Sequence, residues 1–453
     1  MVNVVELLDL ARREDVALIR FEYCDFSGVA RTKAVNVSQL RSKLSEGVAL
    51  TRAQMSINLL EEVIDVEGMA PIGEIRIVPD LDTFSILPWS PRSASILCDQ
   101  LDHDRKDWGA CPRSFLKGAI DKAAEMGLRI EAAFENEYYL AREVDGKFVA
   151  LDVPNHAPVY SSIGHDFHDY LSIETIEALE AQGMIVEQSI NEYGAGQREI
   201  SIRYSDALRA ADNQMKFRDT IRGVALKHDI YASFAPKPFP DQIGSGAHVH
   251  FSVWDEAKER NLFYSKDDPK SFSDLGRSFI AGVALHLPAL VALTAPSYNS
   301  YRRLTPSAWA SATNAWGYDN KEAALRVTSP FYGNEERSMN VEFKPSDPSA
   351  NPYLSLGGLI YAGLDGIERG LTPNPPCVKD PARYAPEELD ALGVVSLPSS
   401  MEEALNNLEA DQYLMSMLGE MRSNAYLKVR RSEAKSFSKE DVDFEIANHF
   451  YKF

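Results

Sequence analysis

Around the turn Gly244-Ser245-Gly246 the chain places Lys237, His248, His250 and Ser252 within one short span. After the turn His248, His250 and Ser252 alternate with Val249 and Phe251, the period of a strand, so the three polar side chains share one face. Three other segments repeat the pattern. Over 130–140, Glu131, Glu135 and Glu137 share one parity while Ile130, Ala132, Phe134 and Tyr138 share the other. Over 197–203, Gln197, Glu199, Ser201 and Arg203 oppose Ile200 and Ile202, with Glu192 seven residues before Glu199. Over 341–345, Glu342 and Lys344 face away from Val341 and Phe343. Any one of these could be a solvated sheet face; four bearing such residues point to a shared site.

If the faces converge, Glu135, Glu137, Glu192, Glu199, Glu342 and His248 lie together, and that much negative charge does not stay ionised without cations. Carboxylate-rich ligation with one imidazole suits Mg²⁺ or Mn²⁺, and two such ions beside basic residues suit phosphoryl transfer. The basic residues lie downstream. Arg302 and Arg303 follow Asn299-Ser300-Tyr301, Lys321 and Arg326 bracket 322–325, and Arg337 precedes Lys344. Taken singly, each is as easily part of a charged surface.

These residues resemble the glutamine synthetase family over nearly the whole chain. The likeness rests on Glu135-x-Glu137, on Glu192 followed by Gly196-Gln197-Arg198-Glu199, and on Lys237-Pro238 ahead of Gly244-Ser245-Gly246-Ala247-His248. It continues through Asn299 to Leu304 with Pro306, and through Glu342 ahead of Asp347-Pro348-Ser349-Ala350-Asn351-Pro352. The resemblance implies an α+β chain: an N-terminal β-grasp domain, residues 1–108, and a larger catalytic domain, residues 109–453, with a curved antiparallel sheet flanked by helices. It implies that Glu137, Glu192 and Glu199 hold the ion that orients the amino-acid substrate, and that Glu135, His248 and Glu342 hold the ATP-linked ion. By the same likeness Lys237, His250, Ser252, Arg326 and Arg337 belong to the nucleotide, and Gly244 and Arg303 to the amino and α-carboxylate groups of glutamate. Lys321, Arg326 and Lys344 join Arg303 as catalytic cations. The implied chemistry is phosphorylation of the γ-carboxylate of glutamate by ATP, then displacement of phosphate by an amine.

Departures from the family pattern fall on the amine half. Ammonia-using relatives carry an Asp-Gly-Ser-Ser loop where this chain has 50–56, reading Leu-Thr-Arg-Ala-Gln-Met-Ser, and a flap glutamate after the Arg-Leu-x-Pro turn where this chain has Trp309. An indole offers an apolar or cation-π wall suited to an alkyl or aryl ammonium. The expectation is a γ-glutamylamide ligase using an organic amine. The alternatives are a glutamine synthetase using ammonia, with an acid such as Glu61 or Glu62 replacing the flap carboxylate, and a relative that keeps the fold without turnover. Ile243 and Lys344 also depart from the pattern near the acyl donor. Lysine keeps the charge there and loses the two-donor fork.

The remaining observations bound the class. A chain of 453 residues, 45% hydrophobic, can bury a large core, and its net charge of -20 argues against nucleic acid or an anionic membrane as partner. Cys24, Cys98, Cys111 and Cys377 show no metal-binding or disulfide spacing, as expected of a cytoplasmic protein. The N-terminus has acids where an export signal needs bases, and reads as a short amphipathic helix. Segment 17–23 alternates as the first strand of a hairpin turning at 25–28, 112–126 reads as a helix, and 279–296 and 351–367 as core helices. Residues 165–170 hold two histidines and two aspartates but read as a loop leading into a helix. The aromatic tail 444–453 is expected to dock on a neighbouring subunit. The family resemblance implies a homo-oligomer, a dodecamer of two stacked six-membered rings. Tyr384, near where some bacterial relatives are modified, reads as an unmodified surface tyrosine.

Overall fold

The strands Leu18–Cys24 and Ala30–Asn36 form the expected antiparallel hairpin. Its turn closes on Asp25, whose buried carboxylate accepts the Val29 backbone N–H at 2.9 Å and pairs with Arg31 at 2.8 Å. The structure, a computed structural model, describes residues 3–151 and 158–453. Met1 and Val2 of the amphipathic N-terminal segment lie outside them; the helix itself runs Val4–Arg13, with Asn3 as its cap. Among the described residues the N-terminal sheet has six strands. Ser93–Leu101 sits centrally, with Leu18–Cys24 parallel beside it, a crossed arrangement that a simple meander does not produce.

Among the described residues a second sheet of ten strands is built on the long strand Leu128–Val144. Its order runs Trp316–Tyr318, Leu325–Val327, Val341–Phe343, Ala247–Asp255, Leu128–Val144, Gln197–Ile202, Val186–Asn191, with all but the first pair antiparallel. One face carries Phe134, Val249, Phe251, Val341 and Phe343 into the main core. Burying each contributes on the order of 1.5–3 kcal/mol, which holds the opposite, polar face in register.

Helices Pro112–Glu125, Ala207–Leu226, Asp274–Thr294 and Pro352–Glu368 complete the core. Asp274–Thr294 is long and apolar enough to cross a membrane, yet it packs on Pro352–Glu368 and Met401–Ala410 inside the protein. Its contact with Pro352–Glu368 runs backbone to backbone. A Cβ on Gly282 would sit 2.2 Å from the Ala362 carbonyl oxygen, and one on Gly366 2.1 Å from that of Ser278. The hairpin turn of the first sheet meets two helices of the core: Arg218, on Ala207–Leu226, donates to the carbonyls of Gly28 and Pro348, and Asn351, the cap of Pro352–Glu368, to that of Asp25. All four cysteines are buried and free.

The C-terminal segment corrects one expectation. Helix Val442–Phe450 docks on its own chain, with Phe450 stacked on Phe148 at 3.8 Å and Phe453 fully buried. Apolar burial close at hand satisfies these rings without a neighbour. His165 lies within a single helical turn, Ser162–Asp166, and His168 takes the N-cap position of the helix Asp169–Glu180 that follows.

Candidate active site

Strand register assembles the polar face row by row. Arg326 lies opposite Glu342, and Glu342 opposite His250. His248 lies opposite Glu135, Ser252 opposite Glu131, and Glu199 opposite Glu137. Donor atoms of Glu135, His250 and Glu342 all fall within 4.8 Å of one another. His248 joins them, its Nδ1 3.3 Å from Glu342 and 3.7 Å from Glu135. Lys344, almost fully buried, reaches the same Glu342 oxygen at 3.1 Å, and the Arg326 guanidinium pairs with its second oxygen.

This half of the face is matched in charge. Burial would raise Glu342, but Lys344, His248, His250 and Arg326 hold it well below the usual carboxylate range. Burial is likewise overcome at Glu135, where His248 and His250 keep the carboxyl low. His248 falls to about 4 through burial and Lys344. The other half is not matched. Burial, then repulsion from Glu135, Glu137 and Glu192, pushes Glu199 up to about 10. Burial takes Glu137 to about 7 against the pull of Arg303, and also raises Glu192. Three crowded carboxyls short of positive charge are what a hard divalent cation would relieve, so the donor set fits Mg²⁺ or Mn²⁺.

Among the described residues, two cavities that flank the cluster bear on its chemistry. The larger, about 510 Å³, has Glu131, Glu135, Ser201, His250, Ser252, Arg337 and Asn340 among its walls. The smaller, about 230 Å³, lies among Glu137, Glu192, Tyr193, Gly244, His248, Arg303 and Trp309. Gly246 lets Arg303 approach: a Cβ there would lie 2.6 Å from Arg303 Nη2 and 2.5 Å from His248 Nε2. Arg303 follows a short helix, Tyr298–Arg302, that the tail braces, since Glu445 accepts from Asn299 at 2.6 Å and from the Arg302 fork at 2.8 to 3.1 Å.

Some expected residues fall elsewhere. Lys237 lines neither cavity, and its backbone is held by Asn299. The Lys321 ammonium lies 5.3 Å over the Trp309 ring rather than in the phosphate-facing place expected. Arg337 covers Trp254 at 5.0 Å on the wall of the larger cavity. Glu61 pairs with Arg31 at 3.0 Å and Glu62 accepts from Asn58, so within the protomer neither reaches Trp309. Two residues were missed by the sequence reading. Tyr193 meets Trp309 edge-on at 5.7 Å, and the half-buried Glu322 accepts the Trp309 backbone N–H on both oxygens at 3.3 Å. Their adjacency to Glu192 and Lys321 was the available signal.

Residues 109–449 match the family model described as glutamine synthetase, catalytic domain, and residues 2–112 that of the glutamine synthetase N-terminal domain. The chain belongs to the glutamine synthetase family. It is 31% identical to a glutamine synthetase of Halobacterium salinarum over 457 residues, covering 100% of this chain and 97% of that one. It is 35% identical to a gamma-glutamylpolyamine synthetase, GlnA3, of Streptomyces coelicolor over 434 residues, covering 95% and 92%. Among solved structures, a GmaS/ADP complex superposes with a TM-score of 0.85 at 26% identity, covering 97% of this chain and 98% of that one. As a glutamine synthetase family member the protein is an ATP-dependent carbon-nitrogen ligase, of a family that uses divalent metal ions and is oligomeric.

Proposed function

We propose that the protein is a γ-glutamylamide ligase: it phosphorylates the γ-carboxylate of L-glutamate with ATP and condenses the product with an organic amine, releasing ADP and phosphate. The observation that carries this reading is the wall of the smaller cavity, where Trp309 and Tyr193 stand beside Glu137, Glu192, Gly244 and Arg303. An indole and a phenol edge offer the alkyl part of an organic ammonium an apolar contact that ammonium itself cannot use, while the Lys321 ammonium already covers the Trp309 ring. The relatives named for γ-glutamylpolyamine synthesis and as GmaS support the same branch.

In this reading Glu137, Glu192 and Glu199 would hold one divalent ion, and Glu135, His248 and Glu342 a second, with His250 within reach of the second. Bound there, Mg²⁺ or Mn²⁺ would neutralise charge on the transferring phosphoryl group. Arg303 and Gly244 bind the amino-acid end of glutamate. Arg326 and Lys344, already on Glu342, present positive charge to the phosphates. The γ-carboxylate oxygen attacks the terminal phosphorus and ADP leaves; the amine nitrogen, after its ammonium gives up one proton to solvent, attacks the acyl carbon, and phosphate departs as the nitrogen loses a second proton to leave the amide. Ser252, His250 and Arg337, on the larger cavity, hold the nucleotide. We take residues 1–108 and 109–453 as the two domains, the subunits as assembling into a dodecamer, and the cytoplasm as the site of action, in keeping with four free thiols.

A second reading, glutamine synthesis from ammonia, is favoured by Glu322, which returns a carboxylate to the flap where Trp309 removed one, and by the relatives named as glutamine synthetases. The test is phosphate release with Mg²⁺-ATP and L-glutamate across a panel of amines. Preference for an organic amine supports the ligase, and preference for ammonium supports the second reading.

A further inference from the structure

Glu131 is a carboxylate that the chemistry above does not use. It lies on the strand Leu128–Val144, on the same face as Glu135 and Glu137, and its side chain is fully buried. A buried carboxylate needs partners. The partner among the described ion pairs is Lys258, 2.7 Å from Oε1, itself 40% exposed, while Oε2 has no hydrogen-bond partner. Glu131 also lines the larger cavity, opposite Ser252 in strand register and near Arg337 and Asn340. The residue that carries the unsatisfied oxygen therefore lines a cavity wall.

Position along the strand says which part of a nucleotide it meets. Glu135, at the metal-binding cluster, is four residues away, about 13 Å at the rise of an extended strand. That matches the reach of a nucleoside triphosphate from its terminal phosphates to the far edge of its base. Glu135 and His250 mark the phosphate end of this cavity, and Glu131, Arg337 and the exposed Phe331 mark the other. A carboxylate accepts hydrogen bonds and cannot donate them. Facing a purine edge, it accepts from a 6-amino group and repels a 6-oxo group.

We infer that Glu131 selects the base of the nucleotide, admitting a 6-aminopurine and rejecting a 6-oxopurine. The inference rests on the nucleotide reading of the larger cavity and deepens it. Selectivity of this kind comes from the group left unpaired with the wrong ligand, which discriminates more strongly than a shape difference. Lys258 is then a positioning residue that engages one carboxylate oxygen and leaves the other for the base.

The test is equilibrium binding of ADP and IDP with Mg²⁺ by calorimetry, paired with kcat/KM for ATP and ITP, on the full-length protein and on Glu131→Gln. The wild type should favour the adenine nucleotide in both measurements. An amide can donate to a 6-oxo group, so Glu131→Gln should narrow the preference by about tenfold or more, mainly through tighter binding of IDP. Lys258→Ala should keep most of the preference, whereas a purely structural ion pair would make both variants lose affinity for ADP and IDP alike. An unchanged ADP-to-IDP ratio in Glu131→Gln overturns the inference and leaves the nucleotide reading standing. Failure of the wild type to bind either nucleotide overturns that reading and this one with it. Where Glu131→Gln does not fold, Glu131→Asp keeps the charge and withdraws it from the base, and the same narrowing or its absence decides.

Discussion

The proposed metal-binding face and the flap beside it are built by opposite means. The face is made of strands whose buried side carries Phe134, Val249 and Phe343, so packing fixes where Glu135, His248 and Glu342 point. The flap, residues 307–311, is buried only at its C-terminal end, at Ala310 and Ser311. Ser307, Trp309 and Ser311 all take left-handed φ values, +55°, +54° and +61°, and Trp309 stays 43% exposed. Each such non-glycine residue costs about 1 kcal/mol. In the proposed reading phosphoryl transfer would sit on a rigid scaffold, and amine choice on a strained segment whose residues can change without disturbing the sheet.

If that contrast is right, breaking the face should abolish the reaction outright. Glu342→Ala leaves Lys344 and Arg326 without their carboxylate and should cut glutamate-dependent ATP turnover at least about a thousandfold, the scale on which preorganised charge acts. Gly246→Ala should come next. A Cβ 2.6 Å from Arg303 Nη2 should raise the KM for glutamate about a hundredfold, with ADP binding near normal as measured by calorimetry.

Changes in the flap should redirect the reaction instead. Trp309→Glu should shift the ratio of kcat/KM for ammonium over that for an alkylamine by about tenfold or more, while acyl phosphorylation persists. An unchanged ratio would remove the flap from the account of specificity.

The uneven charge of the face sharpens the comparison through pH. Glu199 is raised to about 10 and Glu137 to about 7, so between the ordinary carboxylate range and those values the folded chain binds protons that the unfolded chain has lost. Stability of the metal-free protein should therefore fall as pH rises from about 5 to 9. Saturating Mg²⁺ should flatten that slope and release protons on binding, measurable with a pH indicator in weak buffer. A metal-free Tm that rises across this window would contradict the charge assignment.

The smallest effect belongs to the tail. Glu445→Ala loosens the Arg302 and Asn299 contacts behind Arg303 and should raise the KM for glutamate several-fold with little change in KM for ATP.

What the sequence disclosed follows the same division. Period-two alternation around Glu135, Glu199, His248 and Glu342 is enough to predict four strands with one polar face, because burial of the opposite side enforces it. The family resemblance supplies the pairing. Tyr193 and Glu322 escaped because they reach Trp309 through loop geometry, which leaves no periodic trace. Lys321 was assigned to phosphate by likeness, whereas the indole that replaces the flap carboxylate offers its ammonium a ring face to cover. The tail was expected on a neighbour because an apolar terminus says that it must be buried and is silent about where.

The central claim, that the flap has traded ammonia for a larger amine, is tested most directly by steady-state phosphate release with Mg²⁺-ATP and L-glutamate. Ammonium is compared with methylamine, ethanolamine, isopropylamine, putrescine and aniline. A higher kcat/KM for at least one organic amine than for ammonium, lost in Trp309→Glu, is the predicted result. Ammonium as the preferred substrate would contradict it, and would assign Glu322 the role that the family gives to the flap glutamate.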